Sequence, residues 1–207
     1  MCIRDSLEAV VQHLELTVVS VLVGFILSAG LAALARRFGW AAGPINGFTA
    51  FLYTVPSGAL FAILVAYCGV GRGSAIIPLA LYTLLIIETN IVAGFVAVPA
   101  DVRDAADGMG MSPVRRVFTV ELPLAMPYII TGLRIAVVST VGLVTVAAII
   151  GQGGLGRLIL DGLRRTFWTP MTIGAALSIL LALALDGLIY WVGRRATPWA
   201  NRPEGTP

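Results

Sequence analysis

Five long apolar runs constrain the fold of this chain more than any other feature. Each is close to the roughly 20 residues that an α-helix needs to cross the hydrocarbon core of a bilayer. Inside lipid, an isolated run satisfies its own backbone N–H and C=O groups only as a helix. We therefore predict an all-α integral membrane protein, one transmembrane domain over residues 1–207. Its about five spanning helices are expected at 13–35, 47–67, 75–95, 128–150 and 171–192.

Composition supports a membrane protein and excludes two functional classes. Hydrophobic residues form 58% of the 207 and charged residues 12%, well below the roughly 25% of soluble domains. The 14 basic residues are all Arg, so the chain lacks the Lys that a nucleotide-binding P-loop requires and cannot hydrolyse ATP by that route. Most Arg residues lie at the ends of apolar runs, where positive charge orients helices. We interpret the basic balance as topology and expect no nucleic acid partner.

The cysteines and the chain ends carry little functional signal. Cys2 and Cys68 are far apart and have only His13 as a possible companion, so we predict isolated thiols, no metal site, no cofactor and no catalytic residue. The first apolar run follows acids and has spanning length, so no cleavable signal peptide is expected. Residues 1–6 show no pattern that relates to the rest, and 197–207 reads as a disordered tail.

Small residues and helix breakers predict how the runs pack. Small side chains recur every four residues in the first run, on one helix face, which predicts close packing against another helix. They are Ser20, Gly24, Ser28 and Ala32. In the second run Pro56 removes a backbone hydrogen bond and is expected to kink or break the helix. Residues 151–166 read as a glycine-rich connection to the last run.

The segment 101–123, DVRDAADGMGMSPVRRVFTVELP, is a charged island between the third and fourth runs. Asp101 is a candidate N-cap and Asp104 stands where a capping-box acid would stand, so a short helix is predicted to begin there. Gly108 and Gly110 are expected to end it.

A second short helix is predicted in the same island. Ser112 and Pro113 form a cap followed by proline at the first helical position, and Leu122-Pro123 is expected to break the chain again. Two short helices joined by Gly-Met-Ser make a compact elbow. Two interpretations stay open: an interfacial loop lying on the membrane, or a docking element for a soluble partner.

Charge counts predict the orientation of the chain. If the island is cytoplasmic, eight Arg residues lie inside and five outside, which favours an outside N-terminus and a cytoplasmic C-terminus. The inside set is Arg36, Arg37, Arg103, Arg115, Arg116, Arg194, Arg195 and Arg202, and the outside set is Arg4, Arg72, Arg157, Arg164 and Arg165.

Three ionisable residues fall inside predicted spans, where charge is costly and usually faces protein or a water-filled cavity. Arg134, Glu88 and Asp186 all lie roughly 9–10 Å from the cytoplasmic ends of their helices at 1.5 Å per residue. An Arg134–Asp186 pair, an Arg134–Glu88 pair and separate solvation remain open, as does a proton relay.

Polar groups near the proline break are candidates for a translocation path. Pro56, Ser57 and Asn90 are placed near the membrane midplane, where irregular polar backbone is tolerated if it faces a cavity. The alternative is a packing kink beside a satisfied helix polar group. Four tyrosines are candidates either for cation contacts or for an interfacial belt; they are Tyr53, Tyr67, Tyr82 and Tyr128.

The island resembles the cytoplasmic EAA loop of binding-protein-dependent ABC transporter permeases. That motif reads Glu-Ala-Ala, three residues, Gly, nine residues, Ile, any residue, Leu-Pro. Here the matching positions are Asp104, Ala105, Ala106, Gly110, Val120, Leu122 and Pro123, with Asp for Glu and Val for Ile. The resemblance implies that this loop is a coupling helix, with Asp104, Ala105, Ala106 and Gly110 in contact with a cytoplasmic ATPase subunit.

From about His13 onward the chain resembles the osmoprotectant permeases for glycine betaine, choline and carnitine. The residues that carry this resemblance are 13–17, 54–57, 69–71, 110–111, 132–134 and 151–156. The resemblance implies a subunit that is not itself an enzyme, in a bacterial or archaeal cell (inner) membrane. ATP would be bound by a separate ATPase, solute by an extracytoplasmic binding protein, and a second copy or a paralogous permease would complete the pair. Glu88 departs from the family pattern. Alternatives are a same-fold permease for another small solute such as methionine, or an ion-coupled carrier.

Overall fold

The computed structural model describes residues 3–201, with side chains for residues 7–200. Every regular element in this part of the chain is a helix or a helical turn. Residues 1–6 and 202–207, and with them the interpretations of Cys2, Arg4 and Arg202, lie outside the described side chains. The predicted disorder of the tail 197–207 is wrong for its start, because Pro198–Asn201 forms a helical turn. The helices are α1 Ile3–Arg37, α2 Ala42–Thr54, α3 Ser57–Cys68, α4 Arg72–Val96, α5 Ala100–Gly108, α6 Pro113–Arg116, α7 Leu122–Val146, α8 Leu155–Arg164 and α9 Trp168–Ala196.

Four straight stretches are long and apolar enough to cross a membrane, namely Leu7–Arg37, Arg72–Val96, Pro113–Ile150 and Trp168–Ala196. The predicted second span is instead two helices, α2 and α3, bent by 93°. Pro56 stands at the bend with extended backbone (ψ 129°), because proline cannot donate the hydrogen bond that would continue the helix. The part of the chain that the structure describes therefore has four candidate spans, or five if the bent pair crosses as one.

Helix α1 packs on α4 through the predicted row of small residues. Ser20, Gly24, Ser28 and Ala32 are all buried, which confirms the predicted helix face. A Cβ atom at Gly24 would stand 1.7 Å from Thr83 Oγ1, so only glycine permits this approach. Ser28 Oγ donates a hydrogen bond to the Leu84 carbonyl at 3.3 Å.

Helix α4 lies at the centre of the bundle, and α9 lies at its periphery. The most apolar stretch of α4 is 56% buried, whereas that of α9 is 11% buried. On the side away from α1, α4 meets α7, where a Cβ at Gly94 would lie 2.9 Å from the Ala125 carbonyl oxygen. Helix α9 packs on the far side of α7, with Gly193 against Ile130.

Arginine residues gather at one end of the bundle. The ends of α1 and α4 meet the elbow there and the end of α9 packs on the adjoining part of α7. The start of α1, the α3–α4 turn and α8 form the other end. Of the 12 Arg residues with described side chains, seven lie at the elbow end, four at the other and Arg134 between them.

The glycine-rich connection contains a helix that the sequence interpretation missed. Helix α8 lies against α9, with Gly174 next to Leu155, Leu158 and Ile159 and with Gly162 next to Met171. The apolar and small positions 155, 158, 159 and 162 follow the spacing of an amphipathic helix. The amphipathic periodicity of α8 was therefore present in the sequence, but the glycines and arginines between those positions led to its interpretation as a loop.

The α1–α4 contact can be tested by adding a single methyl group. We expect Gly24→Ala to lower the free energy of unfolding by roughly 1–3 kcal/mol, the cost of overpacking, because Thr83 must leave its hydrogen bond to the Ala80 carbonyl. Gly30→Ala on the same helix is the matched control, because nothing lies within 4 Å of a Cβ there. Thermal unfolding in detergent measures both variants. Equal midpoints for the two would contradict the close approach.

Candidate functional site

The charged island folds as the predicted elbow, with one change at its start. The N-cap of α5 is Pro99 rather than Asp101, and no side chain caps the helix. The N-cap is thus two residues earlier than predicted and the helix begins at Ala100, so Asp101 lies in its first turn, where a carboxylate is stabilised by the helix dipole. Helix α5 ends at Gly108, and Gly110 takes a left-handed backbone (φ 76°) that suits glycine.

The second half of the elbow is continuous with a membrane helix. Ser112 caps α6 as predicted, accepting a hydrogen bond from the Arg115 N–H at 3.4 Å, with Pro113 at the first turn. The predicted break at Leu122-Pro123 is wrong, because the chain passes from α6 through a π-helical turn, Val117–Glu121, directly into α7. A π-turn widens the helix by one residue, which relieves the crowding that a proline imposes on the preceding turn.

A buried carboxylate in the π-turn holds the elbow to the membrane helices. Glu121, only 1% exposed, accepts a hydrogen bond from Arg36 of α1 at 2.5 Å and from Arg116 of α6 at 2.9 Å. Arg116 also binds Asp107 of α5. The motif treats position 121 as any residue, so motif matching gave no reason to select it. An acid surrounded by apolar residues at the start of a span was the signal available.

Arg103 fixes the inner face of α5 to the end of α4. Its guanidinium donates to the carbonyl oxygens of Phe95 at 2.7 Å and Val98 at 2.9 Å. Phe95 lies in the last turn of α4 and Val98 in the link that follows it, where carbonyls lack the N–H partners of a continuing helix. Ala106 of α5 is buried on the same inner face as Arg103.

The motif residues divide into an exposed set and a packed set. Asp104, Ala105 and Gly110 are exposed, on the side of the elbow that faces away from the bundle. Ala106 is buried and therefore packs inward. The remaining three, Val120, Leu122 and Pro123, are half-buried in the junction with α7.

The break at Pro56 opens a cavity of about 470 Å³ between the bent pair, α4 and α7. Pro56 and Ser57 line it with Tyr53, Tyr82 and Ser139. The Tyr82 hydroxyl donates to the Val55 carbonyl freed by the break, and the rings of Tyr53 and Tyr82 stand edge to face at 6.0 Å. Tyr82 is 5% exposed, so it is not a belt residue.

Asn90 does not line this cavity, contrary to its predicted place beside Pro56 and Ser57. Its amide donates to the Ile86 carbonyl of its own helix at 2.7 Å. Its side chain packs against Gly132 of α7, where an added Cβ would stand 2.5 Å away. Asn90 therefore belongs to the α4–α7 contact. It lies about 12 Å along α4 from Tyr82, which lines the cavity, at 1.5 Å per residue.

The structure brings Arg134 and Asp186 together and leaves Glu88 apart. The Arg134 Nε and Nη2 atoms donate to the two Asp186 oxygens, each at 2.7 Å, joining α7 to α9. The Arg134 guanidinium also lies 5.0 Å from the centre of the Tyr190 ring. Glu88 is 2% exposed, and its Oε2 has no hydrogen-bond partner among the described residues.

The ion pair borders a second cavity of about 470 Å³ along the same face of α7. Ser139 lines both this cavity and the one at Pro56. The exposed positions of α7 between them recur at helical spacing, at Thr131, Ile135, Val138 and Gly142. One face of α7 thus carries both cavities from the ion pair to the broken helix.

Comparison with known proteins finds similarity along almost the whole chain. The family model described as "Binding-protein-dependent transport system inner membrane component" matches residues 20–198. The chain is 36% identical over 192 residues to the osmoprotectant import permease protein OsmW of Salmonella typhimurium, covering 90% of this chain and 89% of that protein. It is 33% identical over 188 residues to the choline transport system permease protein OpuBB of Bacillus subtilis, covering 90% and 86%.

The fold has a counterpart among solved structures. A chain of the MetNI methionine ABC transporter, in an inward facing conformation, superposes with a TM-score of 0.78 over 98% of this chain and all of that chain. The two sequences are 20% identical, so this likeness shows the fold alone.

The Arg134–Asp186 pair generates a test of the α7–α9 contact. We expect Asp186→Asn to lower the free energy of unfolding by about 1–3 kcal/mol in this partly exposed setting, because Arg134 loses its counterion and one of its two acceptor oxygens, which is replaced by an NH2 donor. The exchanged double variant, Arg134→Asp with Asp186→Arg, should recover part of that loss. Asp161→Asn, an exposed acid on α8, is the control. A double variant as unstable as the sum of its single changes would contradict the pair.

Proposed function

We propose that this chain, which belongs to the family of binding-protein-dependent transport system inner membrane components, is the permease subunit of an ATP-driven importer for osmoprotectants such as glycine betaine, choline or carnitine. Similarity to osmoprotectant and choline permeases over 90% of the chain carries this proposal. The elbow also supports this proposal, because one of its faces is exposed for docking and the other is anchored to the membrane helices. The whole chain acts as one transmembrane permease domain.

The exposed face of the elbow docks a cytoplasmic ATPase subunit. Asp104, Ala105 and Gly110 offer small side chains that enter a shallow groove without loss of rotamer freedom. Ala106 supports them from below, while Val120, Leu122 and Pro123 join the elbow to α7. ATP is bound and hydrolysed by the partner, so this chain is a transport subunit and not an enzyme. Closure of the ATPases moves the elbow, and Glu121 passes that movement to α1 and α7.

The arginine-rich end is the cytoplasmic end in the proposed topology. The excess of Arg at the elbow end of the bundle supports this assignment, because cytoplasmic loops are enriched in Arg and Lys. If the bent pair α2–α3 crosses once, five crossings put the N-terminus outside and the C-terminus inside. The membrane is a bacterial inner membrane.

The cavity-bearing face of α7 forms half of the solute path. This chain supplies only one wall of the cavities, a wall that includes Pro56 and Ser57. The exposed apolar stripe of α7 on the open side is unfavourable in contact with water and is expected to be covered by another protein surface. A second copy of this chain, or a paralogous permease, supplies the other half. The Tyr53–Tyr82 pair offers ring faces to a quaternary amine, and an extracytoplasmic binding protein delivers the solute.

The two alternative functions have weaker support. The MetNI likeness concerns fold and does not transfer methionine as the solute. An ion-coupled carrier would need a titratable relay within the bundle, yet Arg134 and Asp186 satisfy each other and Glu88 lies apart from them.

Reconstitution with a partner ATPase and solute-binding protein tests the proposed function. We expect betaine, choline or carnitine, carried by the binding protein, to stimulate ATP hydrolysis in liposomes, and methionine not to. Ala105→Arg should abolish that stimulation by obstructing the docking face. Val114→Arg, exposed on α6 outside the motif, is the matched control. Stimulation by methionine alone would contradict the solute class, and full activity of Ala105→Arg would contradict the docking face.

A further inference from the structure

We propose that a groove at the elbow end of the bundle binds an anionic phospholipid of the cytoplasmic leaflet, at a site separate from the solute path. The groove lies between α1, α4 and the junction of α6 with α7, and its cavity volume is about 740 Å³. The two cavities along α7 each have a volume of about 470 Å³. The proposal rests on the cytoplasmic placement of the elbow.

The groove runs along the helix axis, as a lipid chain does. On α1 it is lined by Phe25, Ala29, Ala33 and Arg37, which recur every four residues and therefore share one helix face. These 12 steps of 1.5 Å cover about 18 Å. One leaflet of a bilayer contributes about 15 Å of hydrocarbon, so the groove has the direction and length of a single leaflet.

The two ends of the groove differ in chemistry. Its inner length is apolar, lined by residues such as Phe25, Ile91 and Ile129, whereas Arg36, Arg37 and Arg116 stand at the elbow end. A molecule that fits has a long apolar body and an anionic head. A compatible solute is small and polar throughout, so this groove is unsuited to it.

The charges at the elbow end leave a positive surplus. The carboxylates of Glu121 and Asp107 face Arg36 and Arg116, while the guanidinium of Arg37 lies 5.8 Å from the Phe38 ring centre. Three cations against two carboxylates give a net charge of +1. One phosphodiester group balances that charge, and each guanidinium has five N–H donors to share.

The position of the groove links lipid binding to transport. Phe118 and Leu122 form part of its wall, and both belong to the junction through which the elbow is continuous with α7. A lipid seated there packs against the moving part of the coupling apparatus. The inferred site therefore makes coupling sensitive to the anionic lipid content of the membrane.

Native mass spectrometry of the full-length protein, released from micelles with equal amounts of POPG and POPC, tests the site. We expect POPG to be retained about fivefold over POPC, the ratio for roughly 1 kcal/mol from one uncompensated cation. Arg37→Gln should remove this preference. Ala33→Trp should fill the groove and reduce retention of POPG without a change in charge.

Two control variants separate the groove from the rest of the surface. Arg195→Gln removes a cation at the same end, which lies over Trp191 and outside the groove. Ile26→Trp adds bulk on α1 at a position 69% exposed. Equal retention of POPG and POPC by the unaltered protein would overturn the proposal. So would control variants that lose as much POPG retention as Arg37→Gln and Ala33→Trp do. Dissociation of a permease dimer by Ala33→Trp, with POPG still retained, would instead assign the groove to a second copy. Transport is not measured, so failure here leaves the proposed solute untouched.

Discussion

The junction between the elbow and the membrane helices depends on one buried carboxylate. Glu121 lies in a π-turn between the elbow and α7 and binds Arg36 from α1 and Arg116 from α6. A buried acid without partners would be strongly destabilising, and breaking such a pair costs more than forming it gains. The arrangement therefore keeps three segments in one geometry. Because Arg116 also binds Asp107 of α5, the ion pairs extend from the exposed helix of the elbow to the first membrane helix.

Around this anchor, the bundle is built by close packing on one side and left open on the other. Small residues bring α1, α4 and α7 together, with Gly24 and Gly132 at the closest contacts between these helices. Helix α9 is attached through the Arg134–Asp186 pair, through Gly193 against Ile130 and through α8, and most of its remaining surface is exposed. The cavities lie on the open face of α7, where the break at Pro56 exposes polar backbone. A rigid half next to an open face suits a subunit whose solute path is completed by a partner.

The sequence predicted those features that depend on spacing. The apolar runs predicted the helices, the four-residue repeat predicted the buried face of α1, and Ser112-Pro113 predicted the start of α6. What it missed depends on three-dimensional contacts. Asn90 lies about 12 Å along α4 from Tyr82, which lines the cavity at Pro56, and spacing alone did not separate the two positions. The motif accepts any residue at position 121, so it could not identify the acid that meets Arg36. Pro123 was expected to end a helix, but the π-turn before it lets the helix continue. The periodicity of α8 was present but was hidden among glycines and arginines.

The role of Glu121 is tested most directly in liposomes that contain the Glu121→Gln variant with a partner ATPase and a binding protein. The measured quantity is the number of solute molecules taken up per ATP that the ATPase hydrolyses. If Glu121 transmits elbow movement, the ATPase should remain bound and hydrolyse ATP, while uptake per ATP falls about tenfold, which equals a loss of roughly 1.4 kcal/mol. Glu15→Gln removes an exposed ion pair with Arg72 at the opposite end and should leave the ratio unchanged. An unchanged ratio in a folded, assembled Glu121→Gln complex would contradict the account.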